Sequence, residues 1–274
     1  MNLIVRKMLI ACFVLFFSLT SPNTSFSGES WNMSVQGIRV IGTGYKTNID
    51  EIMPFNQFSG TAISCLLQIS PSKILDFSQV ESTINEFSDN TGKNLIDKTA
   101  MFGNGFGFIQ QISKDKTAFL FEITGSNLPN IKATSLTASG EIVLYIGSRI
   151  DLIEHNNLSL FEGSIIDNPI SPLRISKITK NNSGEYPITI SFEAKTNLSF
   201  IESIEFYNAD TSQIIDSKYQ GSGSHNIVGD LSTLTFEHNY SMYEIPEKLS
   251  VKINYWRDFH IQHIPYTIST SVGL

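Results

Sequence analysis

Five histidines, two cysteines and a scatter of serines and carboxylates are the groups in this 274-residue chain that could do chemistry. His260 and His263 stand closest together, and two imidazoles can begin a metal site. A strand sends positions i and i+3 to opposite faces, however, and zinc needs three or four converging ligands, so a metal centre is not expected. Gly221-Ser222-Gly223-Ser224-His225 sets hydroxyls beside an imidazole, half of a nucleophile and base pair. Sequence neighbours in a glycine-rich run are rarely held at proton-transfer distance, and no G-x-S-x-G elbow occurs, so the stretch reads as a hairpin connection.

Gly103-Asn104-Gly105-Phe106-Gly107 is similar to a phosphate-binding loop, but its third glycine falls one residue early and a strand-like run follows where a helix is required. Gly92-Lys93 has no phosphate-loop context. Asp76, Glu81, Glu86, Asp89 and Asp97 form the densest acidic stretch, and their spacing is not that of a calcium loop. Neither a cofactor nor a catalytic constellation is therefore expected, although a hydrolase whose groups meet from distant strands would leave no local motif.

The elements that must position these groups read as strands. Val35 to Ile41, Thr61 to Ile69, Phe106 to Ile112, Thr117 to Thr124 and Glu141 to Ile146 are rich in Ile, Val, Phe and Thr and are separated by Asn, Asp, Gly and Pro turns. A second series follows at Leu173 to Thr179, Tyr186 to Glu193, Ile201 to Tyr207, Gln213 to Ser217, Leu231 to His238, Leu249 to Trp256 and His260 to Ser269. The spacing predicts an all-β protein of two tandem β-sandwich domains, Gly28 to Gly147 and Leu173 to Leu274, joined by Ser148 to Pro172. Seven short strands in about 100 residues match an immunoglobulin-like sandwich for the second domain.

Composition agrees. Charged residues make up 16% of the chain and hydrophobic ones 41%, too little charge and too much apolar content for disorder. A net charge of -7 argues against a nucleic-acid binder, which needs a basic face. Arg6 and Lys7 precede an apolar run from Met8 to Leu19, the form of a bacterial secretory signal, with Ser25 and Ser27 placed for a cut before Gly28. The run is short for a membrane span, so no integral membrane segment is expected after cleavage. Leu9-Ile10-Ala11-Cys12 resembles a lipobox, but the apolar run continues past the cysteine; an uncleaved anchor is the other alternative. Cleavage leaves Cys65 as the single thiol. Ile63, Cys65, Leu67 and Ile69 alternate on one strand face, so Cys65 is expected inside the core as a small apolar filler.

The stretch Ser88 to Leu95, the run Ile201 to Ala209, Asn254-Tyr255-Trp256, Ile264-Pro265-Tyr266 and the terminal Val272-Gly273-Leu274 resemble segments of uncharacterised exported bacterial proteins with two β-domains. That resemblance implies a periplasmic or secreted location and the two-domain fold, and carries no activity. The expected function is binding without chemistry, through sandwich loops or edges, as in an envelope-assembly factor or a neutraliser of a secreted toxin. The candidate binding residues are Phe102, Asn104 and Phe106 in one loop, Gln220, Ser222, Ser224 and His225 in a second, and Tyr240 and Tyr243 in a third. An unidentified protein is the expected partner. A glycan is the weaker expectation, because the chain has only two Trp.

Overall fold

A computed structural model describes residues 28–42, 59–99, 103–180, 185–225, 235–244 and 246–272. The expected signal region and Phe102 lie outside these residues. Among the described residues the chain is all-β: strands in four antiparallel sheets, plus one 3-10 turn at Leu198–Phe200.

The first sheet has the order β1-β2-β6-β5, from β1 (Ser30–Ile41), β2 (Gly60–Ser70), β5 (Gly105–Ile112) and β6 (Ala118–Gly125). The second is centred on β7 (Ser135–Gly147). One edge of β7 carries β16 (His260–Ser271); the other is shared by β3 (Lys73–Phe77) and β4 (Thr83–Asp89). These two sheets share one hydrophobic core, the layering of a β-sandwich. Alternation is what builds it: Ile63, Cys65, Leu67 and Ile69 from β2 and Phe119, Phe121 and Ile123 from β6 are each 4% exposed or less. Burial pushes the Cys65 thiol up to about 12, as expected of an unreactive core filler. Gly140 is required where β4 pairs with β7, because a Cβ there would stand 2.0 Å from the carbonyl oxygen of Thr83.

A second core lies between the remaining sheets. One has the order β12-β15-β8, from β8 (Ile150–Leu158), β12 (Ile201–Asn208) and β15 (Leu249–Trp256). The other has the order β13-β14-β11-β10-β9, from β9 (Ile165–Ile166), β10 (Leu173–Lys180), β11 (Ile188–Ala194), β13 (Ser217–His225) and β14 (Thr235–Met242).

Connectivity departs from a simple tandem. The run at His260 to Ser269 was expected within the second series, yet β16 pairs with β7 from His260↔Ile146 to Ser271↔Ser135 and puts Ile264, Tyr266 and Ile268 into the first core. Conversely β8, from the expected connecting segment, pairs with β15 of the second core. The second core is therefore nested between β7 and β16 of the first. Strand patterns report which residues face inward and are silent about which sheet receives them, so this was not legible locally.

Two strands cross between the cores side by side, β7 into β8 and β15 into β16. Asp258 pins the crossing: its carboxylate accepts hydrogen bonds from the backbone N–H of Ser148 (2.8 Å) and Arg149 (3.1 Å) and from the Ser148 hydroxyl. Asp151 meets Arg149 at 3.1 Å and Arg257 at 3.3 Å. Phe259 stacks on Tyr145 with ring centres 5.5 Å apart and presents an edge contact to Phe200 at 5.8 Å.

Candidate functional site

A cleft of about 760 Å³ opens where the second core meets the first. One wall is the β13–β14 pair, at the edge of its sheet. The opposite wall is the 3-10 turn and the first half of β12, also an edge strand, and Leu75, Asp76 and Lys116 close it from the first core.

A bulge in β13 sets the first wall. Tyr219 pairs with Tyr240 and Gly221 with Asn239, leaving Gln220 as the extra residue, with Gly221 at φ +138°. Beyond the bulge Ser222 lies opposite His238 and Ser224 opposite Phe236. Without the extra residue, Ser222 and Ser224 would stand on the face opposite Tyr219; the slip brings all three onto the face of His238 and Tyr240. Tyr240 packs inward, 5.9 Å from Phe192 and 5.6 Å from Phe206, and is 7% exposed. Tyr219 lies 5.3 Å from both Tyr240 and His238 and keeps 47% of its surface exposed.

The cleft's charges are largely bonded within the protein. Glu202 holds the Lys116 ammonium and accepts from Trp256 Nε1 at 2.9 Å, and Lys116 sits 5.3 Å over the Trp256 ring. Asp76 accepts from Asn197 Nδ2 at 2.8 Å and from the Phe77 N–H at 2.8 Å. Glu237 projects to the other face of β14, opposite Glu193. Two neutral polar atoms are buried without a partner in this cleft's lining: Ser199 Oγ and His238 Nδ1. His238 is 9% exposed, and burial holds its pKa down at about 4, so the imidazole is uncharged at neutral pH.

That depression has a measurable consequence. The unfolded imidazole takes a proton near pH 6.5 and the folded one only near pH 4, so the unfolded state binds more protons between those values and stability falls as pH drops through the window. The two pKa values differ enough to make the loss on the order of 3 kcal/mol. Denaturant melts at pH 7 and pH 4.5 are expected to separate more for the native chain than for His238→Phe; equal separations would remove His238 as the source.

The sequence-derived binding residues divide. Ser222, Ser224 and Tyr240 come together in the cleft. Gln220 is the exposed bulge residue, and Tyr243 is 63% exposed beyond the end of β14, outside the cleft. His225 ends β13, and its side chain lies outside the described residues. Asn104 is occupied within the protein: Nδ2 donates to the Asp97 carbonyl at 2.6 Å, and Oδ1 accepts from Asp97 N–H at 3.2 Å and, beyond the end of β6, from Ser126 N–H at 2.9 Å. Phe106 packs on the first core, 5.4 Å from Phe77 and 6.2 Å from Phe121. The run Gly221 to His225, expected as a hairpin connection, is strand instead. Small residues there suit an edge whose pairing comes from β14 alone, and the glycine that reads as a turn serves the bulge.

Sequence reading missed Ser199 and Tyr219, and named His238 only as a group that a hydrolase assembled from distant strands could use. The alternation of Phe236, His238 and Tyr240 is the signal that could have placed it on an inward face. Among the described residues no three His, Cys, Asp or Glu side chains group as a metal site. His263 Nδ1 instead meets Glu141 Oε1 at 2.8 Å on the surface. No family model, curated protein or solved structure matches the chain.

Proposed function

We propose that the chain is an exported, non-enzymatic binding protein built of two β-sandwiches, the second immunoglobulin-like, and that its recognition surface is the cleft beside β13. The observation that carries this reading is the pair of buried, unpartnered polar atoms, Ser199 Oγ and His238 Nδ1, in an open cleft. Leaving such groups unpaired costs on the order of 1–3 kcal/mol each, a cost offset when the two side chains turn toward the cleft and hydrogen-bond to a bound partner. Chemistry is the less supported reading, since His238 Nδ1 makes no hydrogen bond to a nucleophile or to an orienting carboxylate. The Arg6-Lys7 start and its apolar run support export.

A protein is the expected partner, and a glycan, protein-borne or free, is the second. The test is photo-crosslinking in the producing cell, using the full chain with a photoreactive residue at Ser224, in the cleft, or at exposed Lys132, away from it. A discrete adduct from position 224 and none from 132 is the expected result. Turnover by the purified chain in a hydrolase substrate panel, with no adduct from position 224, overturns the proposal.

A further inference from the structure

We infer that the cleft recognises an uncharged, polyhydroxylated ligand, a short stretch of neutral glycan, with Tyr219 as the stacking platform and Ser199 and His238 as hydrogen-bonding anchors. The inference rests on the binding reading above and specifies its ligand.

Charge comes first. Lys116 is bound to Glu202, so the lining presents no free cation among the described residues, and an anionic ligand would lose its water without a counter-charge. Asp76 and Glu202 are occupied by Asn197, Lys116 and Trp256, so a cationic ligand would have to displace bonds already formed. Glu237 also belongs to the lining but projects from the other face of β14, so what remains on the cleft face is neutral and both donates and accepts: the hydroxyls of Ser199, Ser222 and Ser224 and an uncharged imidazole. Sugar hydroxyls have the same double capacity.

Aromatic surface comes second. Tyr219 is braced by Tyr240 and His238, yet nearly half of its surface is open, which leaves aromatic surface beside the hydroxyls. A pyranose offers the matching pair of surfaces, a C–H face and a rim of hydroxyls. A volume of about 760 Å³ lies in the range of small-ligand sites and accommodates more than one sugar ring. The bulge in β13 places Tyr219 and Ser222 on one face, which is what a ring beside a row of hydroxyls requires.

The test is calorimetric titration of the full chain with neutral oligosaccharides two to four sugars long, of the gluco-, manno-, galacto- and N-acetylglucosamine series, beside sialylated and uronic-acid-containing counterparts. At least one neutral series is expected to bind. Tyr219→Ala should weaken it about tenfold or more, while Tyr219→Phe, which keeps the ring, stays close to the native affinity. Ser222→Lys, at an exposed position, should abolish binding with the melting temperature unchanged, which guards against misreading a folding defect. Tight binding confined to acidic glycans, or no binding by any neutral series, overturns the inference.

The glycan's source is read separately, by repeating the Ser224 crosslink after enzymatic deglycosylation of the cell extract. Loss of a protein adduct identifies a protein-borne glycan, and a polysaccharide adduct identifies a free one. A protein adduct that survives deglycosylation overturns the glycan inference and leaves the binding reading standing. Cleavage of a bound neutral oligosaccharide upholds the ligand class and overturns the non-enzymatic reading.

Discussion

A chain ending at Phe259 is expected not to fold its first core, although every residue removed lies beyond the second. The truncation strips β16 from β7 along its whole length and deletes Ile264, Tyr266 and Ile268, which are 0%, 6% and 7% exposed. Each such loss in a core costs about 2–5 kcal/mol, and three together consume most or all of the roughly 5–15 kcal/mol that holds a domain folded. The bare edge of β7 would also invite aggregation. The complementary deletion, residues 148–259 replaced by a short Asn-Gly-containing turn, joins β7 to β16 as a hairpin and is expected to leave the first core folded. Circular dichroism and gel filtration distinguish the outcomes. A soluble, cooperatively melting truncation would show that β16 is dispensable and that the nested arrangement carries no stability.

Asp89→Ala is expected to cost about 3 kcal/mol or more. Asp89 is 3% exposed and ties two loops together. Oδ1 accepts from the N–H and hydroxyl of Thr91, at 2.8 and 2.6 Å, and from the Lys93 N–H at 3.1 Å; Oδ2 accepts from the Asn130 N–H at 2.6 Å. Burial alone would raise its pKa, but the bonds from Thr91, Asn130 and Lys93 outweigh it and hold the carboxyl at about 2, against an ordinary 3.8. The sign follows. The unfolded carboxylate takes its proton first, so the stabilisation is present above about pH 4 and is lost as pH falls toward 2. Asp89→Ala should therefore both lower the melting temperature at pH 7 and flatten its decline in acid. Asp97→Ala is the control, because Asp97 makes the same turn bonds to Thr99 without a second loop to hold, and its effect should be much smaller. Equal effects would show that the turn, and not the tie between loops, is what Asp89 supplies.

What sequence could tell about these features follows from the range of the forces involved. Alternation is local, so the inward faces of β2 and of β15, with Leu249, Val251, Ile253 and Tyr255 all buried, could be read directly. Strands β3 and β4 could not, because Lys73 to Phe77 and Thr83 to Asp89 mix apolar and acidic residues and take their strand form from pairing with β7. The run His260 to Ser269 is legible as a strand but not as a neighbour of β7, since pairing depends on what the rest of the chain leaves open. The cleft follows the same rule. Ser222 and Ser224 were visible as small polar residues and Tyr240 as an aromatic one, whereas the importance of His238 arises only when a one-residue bulge 18 residues away in sequence turns Ser222 toward it. Phe106 misled because an aromatic residue beside three glycines resembles a contact loop, although its ring completes a cluster of Phe77, Phe119 and Phe121.

Because β1 and β16 belong to the two sheets that face each other across the first core, tension applied to the chain on either side of them is borne by that core alone. The second core hangs from the two paired crossings at Asp258 and lies off the load path until β16 has been peeled from β7. Stretched between two anchorages, the protein would keep the second core and its β13–β14 wall intact while the first core took the strain and withdrew Leu75, Asp76 and Lys116 from the cleft, and single-molecule pulling should record the rupture of the first core before any extension of residues 150–256.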